Sequence, residues 1–565
     1  MKKLFVLGFL LVITSLSSCR VLFPKADLIL YNGNIITLEP SLSNGSAVAI
    51  KGDRILLAGD LKSMQRFKTE HTQMIDLMGQ TAIPGFIEGH AHFISTGKAL
   101  LSLDLTTAHN WQDIVDMVQA AAKKTKPGQW ITGRGWHQEK WNHAPVNAIN
   151  GYPVHNRLSA ISPNNPVYLS HASGHAVFAN ANAMLLAGVT NATPDPQGGI
   201  IMRDKSGQAT GLFSENASGI IYTAYEKSLA KLSPDERELQ TVTYINAAEQ
   251  ECLKNGITTF QDAGSSTSDM DLFQKLAAEG KLKLHLWTMI SSEEHITDAL
   301  LNKYGGVGQF NNMLTIGAIK QYADGALGSR SAWMLQPYSD MPSTSGQNVT
   351  PLDSIRMVAR LAYKHGFQLC THAIGDRANR EILDIYEEIA KGDTTRRWRI
   401  EHAQHLSPAD IPRFHQLGVI AAMQTIHCTS DGPWVPTRIG EKRAAEGAYV
   451  WQKLLKSGAR ISNGTDSPVE KVNPIANYYA AVTRRMVNGE QFYPDQVLTR
   501  EQALQSLTIW NAYAAFEETI KGTMAPGKLA DITVLSQNLL TVPEDKIRDT
   551  MVMYTIVSGK IAYKR

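Results

Sequence analysis

The chain reads as an α/β protein built around a closed (β/α)8 TIM-type barrel, and three observations predict this. Apolar runs of strand length alternate with helix-length stretches, as expected of βα units that close a parallel barrel. Eight such runs can be counted, at residues 83–92, 257–263, 282–290, 314–324, 367–373, 398–403, 419–425 and 459–465. Several of them end in His, Lys or Asp, and barrel enzymes carry their chemistry at the C-terminal ends of their strands. The length of 565 residues fits one large domain with an accessory. At 43% hydrophobic and 19% charged residues the composition excludes a disordered chain, a collagen-like repeat and a multi-span membrane protein. Lys+Arg 55 against Asp+Glu 52 gives a net charge of +3, and no long basic run interleaves with aromatics. That excludes the footprint of a nucleic-acid binder and leaves a small molecule as the expected partner.

The elements follow in order. Lys2 and Lys3 precede an apolar run over residues 4–13, which is too short for a permanent span and suits a secretory leader. The leader, residues 1–18, ends in Leu16-Ser17-Ser18 and is followed by Cys19, a pattern that resembles a bacterial lipobox and implies lipidation of Cys19. The expected location is therefore exported and lipid-anchored, on the periplasmic side of an outer membrane where the host has two membranes. No other run is long and apolar enough to span. Cys252, Cys370 and Cys428 are widely separated and odd in number, so they form no disulfide framework and read as buried thiols.

Residues 26–82 carry short β-type runs broken by turns such as Asn32-Gly33, and residues 520–565 repeat that texture. The two termini are expected to build one small β-sandwich. The barrel then spans 83–519. Between its first two strands, residues 94–256 are far too long for a βα connection and read as an inserted subdomain. Its Trp111, Trp130, Trp136 and Trp141 either line a cavity or fill a local core.

The chemistry-bearing residues come next. Pro84-Gly85-Phe86-Ile87-Glu88-Gly89-His90-Ala91-His92 is a strand ending in two histidines two apart. Such residues point to one side and can share a cation. Lys320 lies within the apolar run 314–324, and a buried ammonium there needs a partner. His372, His402 and Asp466 each close a further β-like run.

Taken in order, these segments resemble the amidohydrolase superfamily, specifically the amidohydrolase-3 group with its YtcJ-like and N-substituted formamide deformylase-like branches. The motifs that carry the resemblance are the His90/His92 pair, Ser173-Gly174-His175, and Lys320 followed by Asp324-Gly325-Ala326-Leu327-Gly328-Ser329-Arg330. The segments around His372, His402 and Asp466, and Gly527-Lys528-Leu529-Ala530-Asp531 near the end, complete the set. One departure is Glu88, where family members usually carry Asp. The resemblance implies a divalent metal centre of one or two ions, zinc being the default for nitrogen and oxygen ligands. His90 and His92 would hold one ion with Asp466, and His372 and His402 the second. Lys320, N6-carboxylated, would bridge them. The implied reaction is hydrolysis of a C–N bond, in an amide, formamide or related small molecule, by a metal-activated water with Asp466 as proton shuttle. His175 and Glu215 are candidate substrate contacts, and a homodimer is implied. Two alternatives stand beside it: a surface lipoprotein that only binds a ligand on this scaffold, and a metal hydrolase of another kind, acting on a lactone or a phosphotriester or carrying out cyclic deamination.

Overall fold

The computed structural model describes residues 24–565, except 139–140, 172–175, 197–198 and 292, and gives no side-chain placement for Glu215 and Val307. The leader and Cys19 lie outside the described residues. Among the described residues no helix is long and apolar enough to cross a membrane.

Eight parallel strands form the centre: β1 (Phe86–Ala91), β2 (Ile257–Ser265), β3 (His285–Ile290), β4 (Leu314–Tyr322), β5 (Gln368–Ala373), β6 (Arg399–His402), β7 (Ile420–Met423) and β8 (Arg460–Asn463). They pair in sequence order from β1 to β8. Each of the eight apolar runs contributes one strand. The first run, however, splits. Thr81–Pro84 joins the terminal sheet and only Phe86–Ala91 enters the barrel. The break falls at Gly85, where a Cβ would sit 2.3 Å from the Thr258 hydroxyl, so the chain can change sheets there only without a side chain.

Among the described residues no ladder joins β8 to β1. The seam closes through Asn511, whose amide donates to Ile87 O (2.6 Å) and Asn463 O (2.8 Å) while its carbonyl accepts from Asn463 N (2.9 Å). Past the strand ends, Asp466 N donates to His90 O at 2.7 Å and His92 N to Ser467 O at 2.8 Å. Gly464 permits this approach, since a Cβ there would stand 2.3 Å from His90 N. The seam thus brings the end of β1 and the residues after β8 together through backbone bonds and side chains that bridge them.

Strands from both termini share one sheet, joined where Ile532–Leu535 runs antiparallel to Thr81–Pro84. The hydrogen bonding draws one continuous eight-stranded sheet, where the sequence suggests two packed sheets. Its apolar face encloses Leu28, Leu30, Val48, Ile50, Ile532, Val534 and Ile556.

The segment between β1 and β2 begins and ends on the barrel's helical layer. Helix Phe93–Leu101 packs on helix Pro234–Lys254, and Gly97 allows contact so close that a Cβ would lie 1.9 Å from Tyr244 O. Between these helices lies a six-stranded sheet. Trp111, Trp136 and Trp141 pack within one of its cores and Trp130 against another, with Trp136 Nε1 donating to Leu169 O at 2.9 Å. The four tryptophans therefore serve the insertion's own cores.

Candidate metal centre

The six residues singled out at strand ends converge. His90 lies in β1 and His92 one residue past it, Lys320 in β4, His372 in β5, His402 at the end of β6 and Asp466 three residues after β8. Asp466 Oδ1 stands 3.3 Å from His92 Nε2 and 3.6 Å from His90 Nε2. The His402 ring centroid is 4.9 Å from that of His90 and 4.5 Å from that of His372. Lys320 is buried, with Nζ 4.9 Å from the centroid of the Tyr322 ring, which in turn packs on His372 at 5.2 Å. His402, Ala403 and Asp466 hold left-handed backbone (φ 75°, 43° and 57°), an arrangement uncommon for non-glycine residues that clusters at functional sites.

Two triads present one ligand atom per residue, all within 4.8 Å of one another: His90, His92 and Asp466, and His402, His427 and Asp466. The resemblance pairs His402 with His372 instead. His372 belongs to neither triad, and its Nε2 lies 3.6 Å from Asp324 Oδ1. His427, on the helix His427–Asp431 that follows β7, did not emerge from the sequence. Its signal was a histidine two residues beyond an apolar run, 419–425, that carries no other candidate ligand.

The donors fit a cation. His90 Nε2, His372 Nε2 and Asp466 Oδ1 are buried and have no hydrogen-bond partner. Buried polar atoms are ordinarily paired, so these orphans call for an electrophile. Burial, reinforced by the charge of Lys320, lowers His90 to about 4 and His372 to about 3, and burial with His372 nearby holds His402 well below its usual value. These imidazoles are therefore neutral near pH 7 and keep a lone pair for a metal. Burial works against ionisation of Asp466, but the histidines around it, His92 foremost, outweigh it and hold the carboxyl well below the usual range.

Supporting contacts fix the donors. His90 Nδ1 pairs with Glu401 Oε2, and Glu401 is held by Arg399, whose Nε lies 2.7 Å from Oε1. A carboxylate behind a ligating histidine fixes the ring and raises its basicity. His402 Nδ1 faces Gln424 Oε1 at 2.7 Å. Glu88 turns away from the imidazole tips. It accepts from Thr465 N (2.7 Å), Thr465 Oγ1 (2.8 Å) and His90 N (3.1 Å), and burial pushes it up to about 7. Its extra methylene reaches the residue before Asp466, so the departure from Asp serves the seam.

His175 lies outside the described residues, and Glu215 ends the strand Ala209–Glu215 with its side chain undescribed. Cys252, Cys370 and Cys428 are buried free thiols.

Comparisons with known proteins agree with this geometry. The sequence pattern of the Amidohydrolase family matches residues 73–563. The protein LONG AFTER FAR-RED 3 of Arabidopsis thaliana is 34% identical over 95% of this chain and 92% of its own. N-substituted formamide deformylase of Arthrobacter pascens is 27% identical over 95% of this chain and 98% of its own. Among solved structures, an uncharacterized metal-dependent hydrolase from Pyrococcus horikoshii OT3 superposes with a TM-score of 0.76 at 27% identity, covering 92% of this chain and 99% of that one. The match takes in the whole barrel and the strands of the terminal sheet from residue 73 onward, and the chain belongs to the amidohydrolase family.

Proposed function

We propose that this metal-dependent hydrolase cleaves a C–N bond of a small molecule, an amide, a formamide or a related group, with Asp466 as proton shuttle. The observation that carries the reading is the Asp466 carboxylate, ionised, buried and set 3.3 Å from His92 and 3.6 Å from His90 with Oδ1 unpartnered. The activity named for the Arthrobacter pascens relative supports the choice of bond. His90, His92 and Asp466 would hold one divalent ion, zinc by donor chemistry, and His402 with His372 a second, with N6-carboxylated Lys320 between them. Such an ion supplies Lewis acidity and an acidified water.

The chain's own residues do the rest. Glu401 keeps the proton on His90 Nδ1 and so frees Nε2. Asp466 accepts a proton at a carboxylate oxygen and returns it to the departing amine, which leaves neutral. Residues 1–19 support an exported, lipid-anchored enzyme with its barrel in water.

Metal analysis of the purified protein, with Asp466→Asn and His90→Ala assayed on a panel of N-formyl and N-acetyl amines, tests the reading. Asp466→Asn is expected to lose about 10²- to 10⁴-fold in kcat. Full turnover by that variant would overturn the shuttle, and a protein that takes up no divalent metal would overturn the hydrolytic reading itself.

A further inference from the structure

His427 and His402 are parallel imidazoles, 6.4 Å apart and 16° from coplanar orientation, both directed at Asp466. Their outer nitrogens meet opposite partners. His402 Nδ1 faces a carbonyl, Gln424 Oε1, and the orientation of that amide is fixed because Gln424 Nε2 donates to Ala422 O at 3.1 Å. The proton of His402 therefore sits on Nδ1, and Nε2 has a free lone pair. His90 is set the same way by the Glu401 carboxylate. His427 Nδ1 instead meets an amide nitrogen, Gln404 Nε2, at 3.1 Å, with Gln404 assigned in that orientation. An amide nitrogen can only donate, so His427 Nδ1 accepts and the ring proton sits on Nε2.

That Nε2–H is buried and has no acceptor. It points to Asp466 Oδ2 across 4.0 Å, too far for a hydrogen bond. A protonated nitrogen is not a metal ligand. What remains is a fixed donor aimed into the space beside the carboxylate that moves the proton.

We propose that His427 is a hydrogen-bond donor to the substrate's carbonyl oxygen, and that Gln404 is the positioning residue that keeps its proton on Nε2. The proposal deepens the C–N hydrolase reading and rests on it. As the carbonyl oxygen gains negative charge, a preorganised donor in a dry site stabilises it more than it stabilises the bound substrate. The two glutamines thus divide two parallel histidines between metal binding and substrate binding.

Acetohydroxamate, a carbonyl-bearing chelator, is the probe. Zinc-loaded full chain, His427→Ala, His427→Gln and Gln404→Glu are compared for zinc content by elemental analysis and for acetohydroxamate affinity by calorimetry. All variants are expected to hold zinc at the wild-type stoichiometry. His427→Ala should weaken acetohydroxamate about ten- to a hundredfold. His427→Gln, which places an amide N–H near the position of Nε2, should stay within about threefold of wild type. Gln404→Glu should behave as His427→Ala, because its carboxylate draws the proton to Nδ1, and it carries the test if the alanine variant fails to fold. Zinc lost from His427→Ala and His427→Gln would make His427 a ligand and overturn the proposal. So would acetohydroxamate affinity unchanged in both His427→Ala and Gln404→Glu. Wild-type protein that takes up no zinc is the separate outcome that removes the hydrolase reading.

Discussion

Glu401→Gln is the perturbation that bears most directly on how the barrel supports its metal centre. Glu401 is fully buried beneath His90 and paired with Arg399, itself fully buried. Burial alone would raise the carboxyl, but the charge of Arg399 and the contact with His90 outweigh it and hold Glu401 at about 2. Removing one partner of such a pair costs about 3–5 kcal/mol, because the remaining charge stays buried without compensation. Arg399 keeps two other acceptors, Gln261 Oε1 at 2.7 Å and Gly89 O at 2.8 Å, which places the expected loss near the lower end, about 3 kcal/mol. A second effect is separate. With a neutral amide behind it, His90 loses both its fixed tautomer and part of its basicity, and metal affinity should fall about 10- to 100-fold. Urea unfolding of the metal-free protein reads the first effect and competition with a calibrated chelator reads the second. The double variant Arg399→Met/Glu401→Gln separates them: deleting the stranded charge should restore most of the stability and none of the metal affinity. If Glu401→Gln bound metal as tightly as the wild type, Glu401 would not be what orients His90, and the buried pair would be a structural feature of the barrel interior only.

Two further outcomes concern Lys320 and His405. Lys320→Ala should abolish turnover, and metal-free wild-type protein should recover activity on metal addition only when bicarbonate is present; recovery in carbonate-free buffer counts against the carbamate. His405 is buried against Tyr449 at 5.7 Å with neither ring nitrogen paired, and burial with the nearby Arg443 charge lowers it to about 3. Its unfolded value is about 6.5, so stability is undiminished above that pH and falls as pH drops towards 3, because the unfolded chain binds a proton the fold excludes. From pH 6.5 to 5 the loss attributable to His405 is about 2 kcal/mol, and His405→Phe should flatten the urea stability curve by that amount relative to wild type. A variant with the parent's slope would assign the acid sensitivity to other groups.

The barrel was legible because its strands are buried on both sides and read as apolar runs, and because polar residues at their ends interrupt those runs conspicuously. His90, His92, Lys320, His372, His402 and Asp466 could be found one strand at a time. What could not be read is everything that depends on closure. Glu88 and Thr465 are 377 positions apart, and His90 and Glu401 are 311 apart. Strand alternation says that Glu88, His90 and His92 share a face, but not that Glu88 bonds across a seam while His90 faces inward. The split at Gly85 was hidden for a related reason: an apolar run is the same run whether it serves one sheet or two.

His427 was missed on different grounds. It sits in a short helix beyond β7, where no alternation applies and a single histidine carries little weight. Its role is not even a property of its position alone. His402 and His427 are the same residue type, lie nearly parallel and approach the same carboxylate. What distinguishes them is whether a glutamine offers its oxygen or its nitrogen to Nδ1, and for His402 that depends on Ala422 O, which occupies the amide of Gln424 and leaves its carbonyl free. A motif records the histidine, whereas the tautomer of His402 is set by a backbone carbonyl two residues from its glutamine. Residues of that second kind are therefore where variants of this centre should change metal binding and substrate binding independently.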